Sequence, residues 1–275
     1  MVSLGNGIGA EKRVEYKVRK LFWRETMNQS RMDYLLKIVN EQKKIEVSKL
    51  AGLLGVSKVT MRKDLSELER RGLLRRQHGY AIINNSDDLS YRLAQRYEIK
   101  LRIAKAAAEL VSEQETIMIE SGSTCALLAE QLGKQGKNVT IITISYFIAN
   151  YISQYNNLHV IMLGGNYQPD SQVVVGPLVK QTLQGLRVQR LFAGTDGFDA
   201  HQGFFGNDIM RTETVKAMAQ RAQQLVILTD ASKFIKASLV QQFSLDEVDL
   251  VVTDKGINQL AKDSLSSHKI QVSEV

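Results

Sequence analysis

The stretch "IEVSKLAGLLGVSKVTMRKDLSELERRGLLRRQHGYA", residues 45–81, determines how the first third of the chain folds. Apolar residues recur at helical spacing on both sides of Gly55, and the second series runs into a short basic hairpin. Ser48 is available as a cap for the first of these helices and Ser57 for the second. Gly55 and Gly72 stand where the two helices are expected to end. With the amphipathic segment 31–44 before it, the pattern predicts a helix-turn-helix followed by a β wing.

The second helix of this motif has one apolar and one polar face. Met61, Leu65 and Leu68 lie at i, i+4 and i+7, so they are expected to face the core. In a helix-turn-helix, the N-terminal residues of the second helix reach the base edges of the major groove. The candidate DNA-binding residues are Ser57, Lys58, Val59, Thr60, Arg62 and Lys63 on the helix, and Arg75, Arg76 and His78 on the wing.

The positive charge of the chain is confined to this region. Residues 1–88 hold 18 Lys and Arg against 11 Asp and Glu, a net charge of +7, whereas residues 89–275 hold 18 of each. A basic module joined to a neutral one indicates an anionic partner for the first module, and double-stranded DNA is the predicted partner. The alternative is a solvated basic face with no ligand.

Composition excludes several other classes of protein. The single cysteine, Cys125, rules out an internal disulfide and a Cys-rich zinc site, and we expect no metal and no cofactor. No run of about 18 apolar residues is present, so no membrane partner is expected. The N-terminal residues have no apolar stretch of signal-peptide length, and the cytoplasm is the expected location.

The rest of the chain alternates apolar strands with helical segments. The predicted strands are "TIMIES" (116–121), "VTIITIS" (139–145), "HVIMLGG" (159–165), "VQRLFAGTDG" (188–197), "QLVILTD" (224–230) and "VDLVVTD" (248–254). Nearly continuous apolar, β-branched runs are typical of buried parallel strands. The sequence therefore predicts an α/β fold with a doubly wound parallel sheet.

Polar residues follow several of these strands. In such sheets, ligands bind beyond the carboxyl ends of the strands. The candidate effector-binding residues are Ser121, Gly122, Ser123 and Thr124 in a loop that opens a helix, Gly164 and Gly165, Asp196 and Asp199, and Lys233. The loop offers N–H groups and hydroxyls to a phosphate, and the carboxylates offer acceptors to sugar hydroxyls. Each group alone is better explained by helix capping or a surface position, and it is their convergence on one edge of the sheet that favours a site for a small polyol phosphate.

The first module resembles the winged helix-turn-helix of the DeoR family of bacterial transcription regulators. The matching residues are Leu50-Ala51, Val56-Ser57, Thr60 to Leu65, Leu68-Glu69, Gly72 and Arg75 to Gly79. Met61, Lys63 and Tyr80 depart from the family pattern, and Tyr80 is expected to alter the wing turn because Tyr adopts positive φ poorly.

The second module is similar to the DeoR-family sensor domain over "ESGSTCALLAEQL", "IMLGGNYQPDSQVVVGPLV", "LFAGTDGFDAHQGFFGNDIMRTETVKAMAQRA" and "LTDASKF". The resemblance implies a fold like ribose-5-phosphate isomerase and a phosphorylated sugar as effector. It assigns the phosphate to Ser121–Thr124, the polyol to Asp196 and Asp199, and Lys233 to the Lys of the isomerase Asp-x-x-Lys. Ile144 departs from the Asn that is usual in the family. The implied activity is control of a sugar-metabolism operon, with repression favoured.

These observations predict four segments. Residues 1–28 are an extension expected to be disordered, with Met27 as a candidate start, and residues 29–84 form the DNA-binding domain. Residues 85–112 form a linker helix, with Ile103, Ala107 and Leu110 on one face, and residues 113–275 form the sensor. The helix either connects the modules, packs between subunits, or is one more helix of the second domain.

Two other functions are compatible with parts of the sequence. The first is a sugar-phosphate isomerase that carries a DNA-binding module, for which Glu213 is the nearest candidate base. The segment "FGNDIMRT" before it is not Gly-rich, so a sensor without catalytic residues is the preferred reading. The second is a basic RNA-binding or scaffold protein. A single winged helix makes few base contacts, so we also expect a homo-oligomer.

Overall fold

The computed structural model describes residues 31–275 except 33, 37, 40, 71, 72 and 83–88. The chain divides into two compact units, one ending at Asn84 and the other beginning at Asn85. The predicted extension 1–28 and Gly72 lie outside the described residues. Within the part of the chain that is described, no helix has the length and apolar character needed to cross a bilayer.

The first unit is a winged helix-turn-helix. Its elements are helix α1, whose described residues lie between 31 and 42, β1 (Lys44–Glu46), α2 (Val47–Leu53), α3 (Lys58–Arg70), β2 (Arg75–Gln77) and β3 (Tyr80–Ile82). The strands form an antiparallel sheet in the order β1-β3-β2. Strand β1 was not predicted from the sequence, because it has only three residues and a single buried side chain.

The turn between α2 and α3 has the geometry that the glycine predicted. Gly55 has φ of 63°, the N–H of Val56 donates to the carbonyl of Ala51, and the N–H of Gly55 donates to that of Gly52. This is the Schellman arrangement, which satisfies the last carbonyls of α2. Ser57 then caps α3, because its Oγ accepts from the N–H of Thr60 at 3.1 Å.

Two local predictions for this unit were wrong. The N-cap of α2 is Glu46, and Ser48 lies within the first turn of the helix. The wing turn consists of His78 (φ 48°) and Gly79 (φ 84°), the conformation of a two-residue type I′ hairpin. Tyr80 is the first residue of β3, so it does not need positive φ.

The described residues of the second unit form 19 helices and strands. They are α4 (Leu89–Ala94), α5 (Tyr97–Glu109), β4 (Thr116–Ile119), α6 (Ser123–Lys134), β5 (Val139–Thr143), α7 (Tyr146–Tyr151), β6 (Leu158–Met162), β7 (Asn166–Gln168), β8 (Val173–Val175), α8 (Pro177–Leu183), β9 (Val188–Ala193), β10 (Gly197–Asp199), β11 (Gly203–Gly206), α9 (Ile209–Ala219), β12 (Ala222–Leu228), β13 (Val240–Phe243), β14 (Leu250–Thr253), α10 (Gln259–Ser267) and β15 (Gln271–Glu274). Two 3₁₀ turns, Ala231–Ile235 and Leu245–Glu247, complete it.

Seven of these strands form one parallel sheet in the order β15-β14-β12-β9-β4-β5-β6. All six predicted strands are present, and the polar edge strand β15 was missed. Helices cover both faces: α8, α9 and α10 pack on Met118, Leu191 and Val251, while α5 contacts β12 and β14 from the other side. The strand order reverses between β4 and β9, and this switch point is where ligands bind in such sheets.

The predicted linker helix is two helices of the second unit. The chain breaks between α4 and α5 at Arg96, which has φ of 52°. Ile103 and Ala107 are fully buried, Leu110 caps the C-terminal end of α5, and α5 packs against α6. Both helices therefore pack within the second unit.

Candidate functional site

The first unit presents a cationic surface on α3 and the wing. Met61, Leu65 and Leu68 are buried, which turns the opposite face of α3 to solvent. Val59, in the first turn, is 77% exposed, although it is apolar. Thr60 is half-buried, and the other candidate residues are exposed: Ser57, Lys58, Arg62, Lys63, Arg75, Arg76 and His78.

Two contacts that the sequence analysis did not identify hold this surface in place. Arg31 on α1 binds the buried Asp64 of α3, with Nε 2.7 Å from Oδ2 and Nη2 3.1 Å from Oδ1. The hydrogen bond to Asp64 raises the pKa of Arg31. On the wing, the Arg76 guanidinium binds Glu69 of α3, with Nε 2.8 Å from Oε2. Arg76 is therefore part of the scaffold of the surface as well as a charge on it.

The second unit contains a polar cavity of about 250 Å³ beyond the carboxyl ends of β4, β9 and β12. Six of the nine predicted effector-binding residues line it: Ser121, Gly122, Ser123, Thr124, Asp196 and Lys233. Asp230, which the sequence places with Lys233 after a predicted strand, also lines it, and the principal lining residues that were not predicted are Arg92, Gln95, Arg96, Lys100, Glu120, Thr195, Arg211 and Gln242.

The loop 121–124 opens α6 toward this cavity. Gly122 is the N-cap, with φ of 91° and no side chain to cap the helix. The N–H groups of a helix N-terminus and the helix dipole favour an anion. Ser123 and Thr124 add hydroxyl groups at the same place. The geometry of this loop is therefore suited to a phosphate group.

Ion pairs connect the cavity walls. Arg211 of α9 lies with Nη2 2.5 Å from Oδ2 of Asp196 and 2.8 Å from Oδ1 of Asn207. Arg92 of α4 lies 3.5 Å from the other oxygen of Asp196. Arg96 binds Asp230, whose carboxylate also accepts from the N–H of Ser232 at 3.0 Å. Each strand-end aspartate in the cavity is thus already bound to an arginine, Asp196 to Arg211 and Asp230 to Arg96.

These contacts set the charge state of the cavity. Burial opposes ionisation of Asp230, but hydrogen bonds from Ser232 and the nearby Arg96 lower its pKa below the ordinary value. Burial likewise opposes the charge of Arg211, but Glu120 and Asp196 raise its pKa. The pKa of buried Lys100 falls to about 7, chiefly through burial.

The cavity is therefore electropositive. Five basic side chains, Arg92, Arg96, Lys100, Arg211 and Lys233, line it against three acids, Glu120, Asp196 and Asp230. A surplus of one to two positive charges, depending on Lys100, matches a phosphate monoester with uncharged hydroxyl groups. No group of three or more His, Cys, Asp and Glu side chains suited to a metal ion occurs among the described residues.

Three predicted residues do not line the cavity. The Oδ1 atom of Asp199 accepts from the N–H groups of His201 and Gln202, at 2.9 and 3.0 Å, so this carboxylate closes the turn after β10. A Cβ on Gly165 would lie 2.8 Å from the carbonyl oxygen of Val175, so this glycine permits close packing. Gly164 lies beside it, after β6.

Two further residues that the sequence singled out lie outside the cavity lining. Glu213, the candidate base, is half-exposed on α9 and pairs with Lys180 at 3.2 Å. Ile144 is buried in the core below β5 and does not reach the cavity. The arginines that were not predicted come from α4 (Arg92), the break before α5 (Arg96) and α9 (Arg211).

Two family models match the chain. The DeoR-like helix-turn-helix domain matches residues 31–87, and the DeoR C terminal sensor domain matches residues 95–255. The chain is 28% identical to a putative aga operon transcriptional repressor of Escherichia coli O157:H7, over 90% of this chain and 94% of that protein. It is 30% identical to the HTH-type transcriptional regulator GolR of Listeria innocua, over 83% and 91%.

A solved structure is also similar to the chain. Ribose 5 phosphate isomerase A from Neisseria gonorrhoeae is 22% identical, with a TM-score of 0.39 over 50% of this chain and 54% of that one.

Proposed function

Because the chain belongs to the DeoR family of helix-turn-helix transcriptional regulators, we propose that it represses a sugar-metabolism operon and releases its operator when a phosphorylated sugar binds. The observation that carries the proposal is the combination of a cationic recognition helix in one unit and an electropositive cavity in the other. Its place of action is the cytoplasm.

The recognition helix supplies the DNA-binding part of this proposal. Arg62 is exposed near the N-terminal end of α3, where it can pair with guanine in the major groove. Val59 offers an apolar contact of the kind that reads a thymine methyl group. Lys58, Lys63 and Arg75 supply charge for phosphates, which position the protein on the duplex.

The cavity supplies the effector-binding part. We assign the phosphate to the loop 121–124, with Lys233 and Arg96 of the cavity lining as cations that can neutralise it. Glu120 and Asp196 are the acceptors available to sugar hydroxyl groups. Asp199, Gly164 and Gly165 support the shape of the unit in this proposal, because the contacts of Asp199 and Gly165 lie within the fold.

The same geometry argues against catalysis. An isomerase needs a base within hydrogen-bond reach of the substrate carbon-bound proton. Glu213 is paired with Lys180 outside the cavity lining, and Glu120 and Asp196 face Arg211. The relatives reported above are named as transcriptional regulators, and we propose that this chain is also not an enzyme.

Binding of a labelled operator duplex, measured by fluorescence anisotropy, tests the proposal directly. The duplex comes from the promoter of the chain's own gene, and a scrambled duplex of equal length is the control. A panel of pentose and hexose phosphates is then added, with the corresponding free sugars as a second control. One phosphate that lowers operator affinity, while its free sugar does not, is the expected result. Equal affinity for both duplexes, or turnover of any sugar phosphate, contradicts the proposal.

A further inference from the structure

Lys100 is a buried lysine in the wall of the electropositive cavity. Its side chain comes from the first turn of α5, just after the break at Arg96, and the residue is 7% exposed. Lysine is almost never buried to this extent unless its charge has a partner. The phosphate was assigned above to the loop 121–124, Lys233 and Arg96, so the role of this buried charge needs its own explanation.

The side chain of Lys100 closes the C-terminal end of α4. Its Nζ donates a hydrogen bond to the backbone carbonyl of Arg92, in the last turn of that helix. The last four carbonyls of a helix lack a partner within the helix, so a donor from outside stabilises them. The backbone N–H of Lys100 donates to the carbonyl of Arg96 at 3.1 Å. Lys100 thus contacts the backbone of two residues whose guanidinium groups line the cavity.

The position of α4 depends on such contacts. This helix has six residues, and an isolated helix of fewer than about 12 residues is marginal in water. Its side chains Leu89 and Leu93 are buried. The Lys100 hydrogen bond and the pair between Arg92 and Asp196 hold its polar side at the cavity. Loss of the Lys100 bond therefore loosens the helix that brings Arg92 to the cavity.

The surroundings of Lys100 disfavour its charge. Burial is the largest effect, and the positive charges of Lys233, Arg92 and Arg96 act in the same direction. Asp230 is the acid that opposes them, and it already binds Arg96. Together these effects lower the pKa of Lys100 to about 7. An anion in the cavity would supply the negative charge that the ammonium group needs.

The elements packed against α5 bring further ionisable groups to this wall. Cys125 comes from α6, and burial and the nearby Glu120 raise the pKa of its thiol, which stays neutral. Glu120 itself faces Arg211, 3.8 Å away. Asp254 follows β14 and accepts from the N–H of Ala231 at 2.7 Å. No histidine occurs in the described lining of the cavity. Lys100 is therefore the group at this wall that we expect to gain a proton near neutral pH.

We propose that Lys100 is a positioning residue of the effector site and that it makes anion binding in the cavity proton-linked. The ammonium form holds the end of α4, keeps Arg92 and Arg96 at the cavity and adds a positive charge. The neutral amine adds no charge and is a weaker donor. A bound dianion stabilises the ammonium form, so binding above pH 7 takes up one proton from the solvent. The inference rests on the proposed effector cavity, but it depends neither on the identity of the sugar nor on DNA binding.

The pH dependence of sulfate binding to the full chain tests this inference. Sulfate is the probe because it stays a dianion near neutral pH, unlike a phosphate monoester, whose second pKa is about 6. Isothermal titration calorimetry measures its dissociation constant from about pH 6 to about pH 9 at constant ionic strength. We expect the constant to rise above pH 7, by up to about tenfold per pH unit, because the free protein then holds one proton fewer than the complex. Buffers of different ionisation enthalpy should report the same proton uptake.

Three variants separate this role from a general fault in folding. Lys100→Arg keeps a fixed charge, so its affinity for sulfate should stay close to the low-pH affinity of the wild type throughout the range. Lys100→Met lacks the charge, so its affinity should be low throughout, close to that of the wild type at high pH. Lys105→Met, which replaces an exposed lysine on α5, should keep the wild-type profile. Melting curves by circular dichroism show which variants are folded, and Lys100→Arg alone suffices if Lys100→Met is not.

The outcomes distinguish this inference from the proposed function. A wild-type dissociation constant that does not change with pH, or a pH dependence that persists in Lys100→Arg, overturns the role of Lys100 and leaves the proposed function intact. Failure of the wild type to bind sulfate at any pH overturns the anion site itself. In that case the proposed effector and the role of Lys100 fall together.

Discussion

Arg76 on the wing donates hydrogen bonds to both carboxylate oxygens of Glu69 on the recognition helix, from its backbone N–H at 2.7 Å and from Nε at 2.8 Å. Its Nη1 lies 3.4 Å from the carbonyl oxygen of Arg62. The hydrogen bond from the backbone N–H is the main cause of the lowered pKa of Glu69, so this carboxylate remains charged at neutral pH. The pair fixes the position of the wing relative to α3.

Replacing Glu69 with Ala separates this positioning role from simple electrostatics. Removal of an acid from a cationic surface should tighten DNA binding if charge alone matters. We expect weaker binding, by roughly fivefold, because an exposed pair is worth about 1 kcal/mol and the wing is no longer held. Operator anisotropy measures the change. Glu41→Ala, an exposed acid on α1, is the matched control, and weakening of the same size in both variants would contradict the positioning role.

The sequence predicted α3 well and the wing contact not at all, for a physical reason. Met61, Leu65 and Leu68 repeat at the helical period, and the period alone fixes which face is buried. The Glu69–Arg76 pair depends on where the hairpin returns to the helix. That position is set by the turn at His78-Gly79, whose two positive φ values are not encoded by any periodicity.

Arg62→Ala tests whether this side chain reads a base. The side chain is exposed close to the N-terminal end of α3, so we expect a cost of about 1–3 kcal/mol on the operator and a smaller cost on a scrambled duplex. Lys63→Ala is the control, since a phosphate contact weakens binding on both duplexes alike. The same anisotropy assay measures both variants. If Arg62→Ala weakens the affinity for both duplexes equally, Arg62 contacts the DNA phosphate backbone and does not read a base.

The cavity was predicted from the polar residues that follow strand ends. This rule finds lining residues that come directly after a strand, and it misses lining residues that come from other parts of the chain. Ser121–Thr124 and Asp196 follow β4 and β9 directly, so topology brings them together at the switch point. Arg92 and Arg211 reach the cavity from helices, and Arg96 reaches it from the break between α4 and α5. Neither the strand-end rule nor helical periodicity distinguishes these arginines from solvated ones. Asp199 is the last residue of β10, a strand of a separate small sheet that was not predicted from the sequence.

Arg96→Gln tests the contribution of Arg96, at the break between α4 and α5, to effector binding. The guanidinium binds Asp230 at the cavity wall and is partly exposed, so a phosphate can reach it. Loss of one charge-assisted hydrogen bond should raise the dissociation constant of the sugar phosphate about tenfold, measured by isothermal titration calorimetry. Arg102→Gln, an exposed arginine on α5, should leave the constant unchanged. If Arg96→Gln lowers the melting temperature but leaves the dissociation constant of the sugar phosphate unchanged, Arg96 has a structural role only.

Lys100 should make the stability of the second unit depend on pH. Its ammonium group is buried and donates to the backbone carbonyl of Arg92, and burial lowers its pKa from 10.5 to about 7, against the opposing charge of Asp230. Between these two values the unfolded chain holds a proton that the folded chain lacks. The free energy of unfolding therefore rises with pH from 7 toward 10, by up to about 1.4 kcal/mol per pH unit.

Lys100→Met should remove this rise in urea denaturation curves, while Lys105→Met, which replaces an exposed lysine on α5, should keep it. Parallel pH profiles for wild type and Lys100→Met would mean that Lys100 stays protonated in the folded chain.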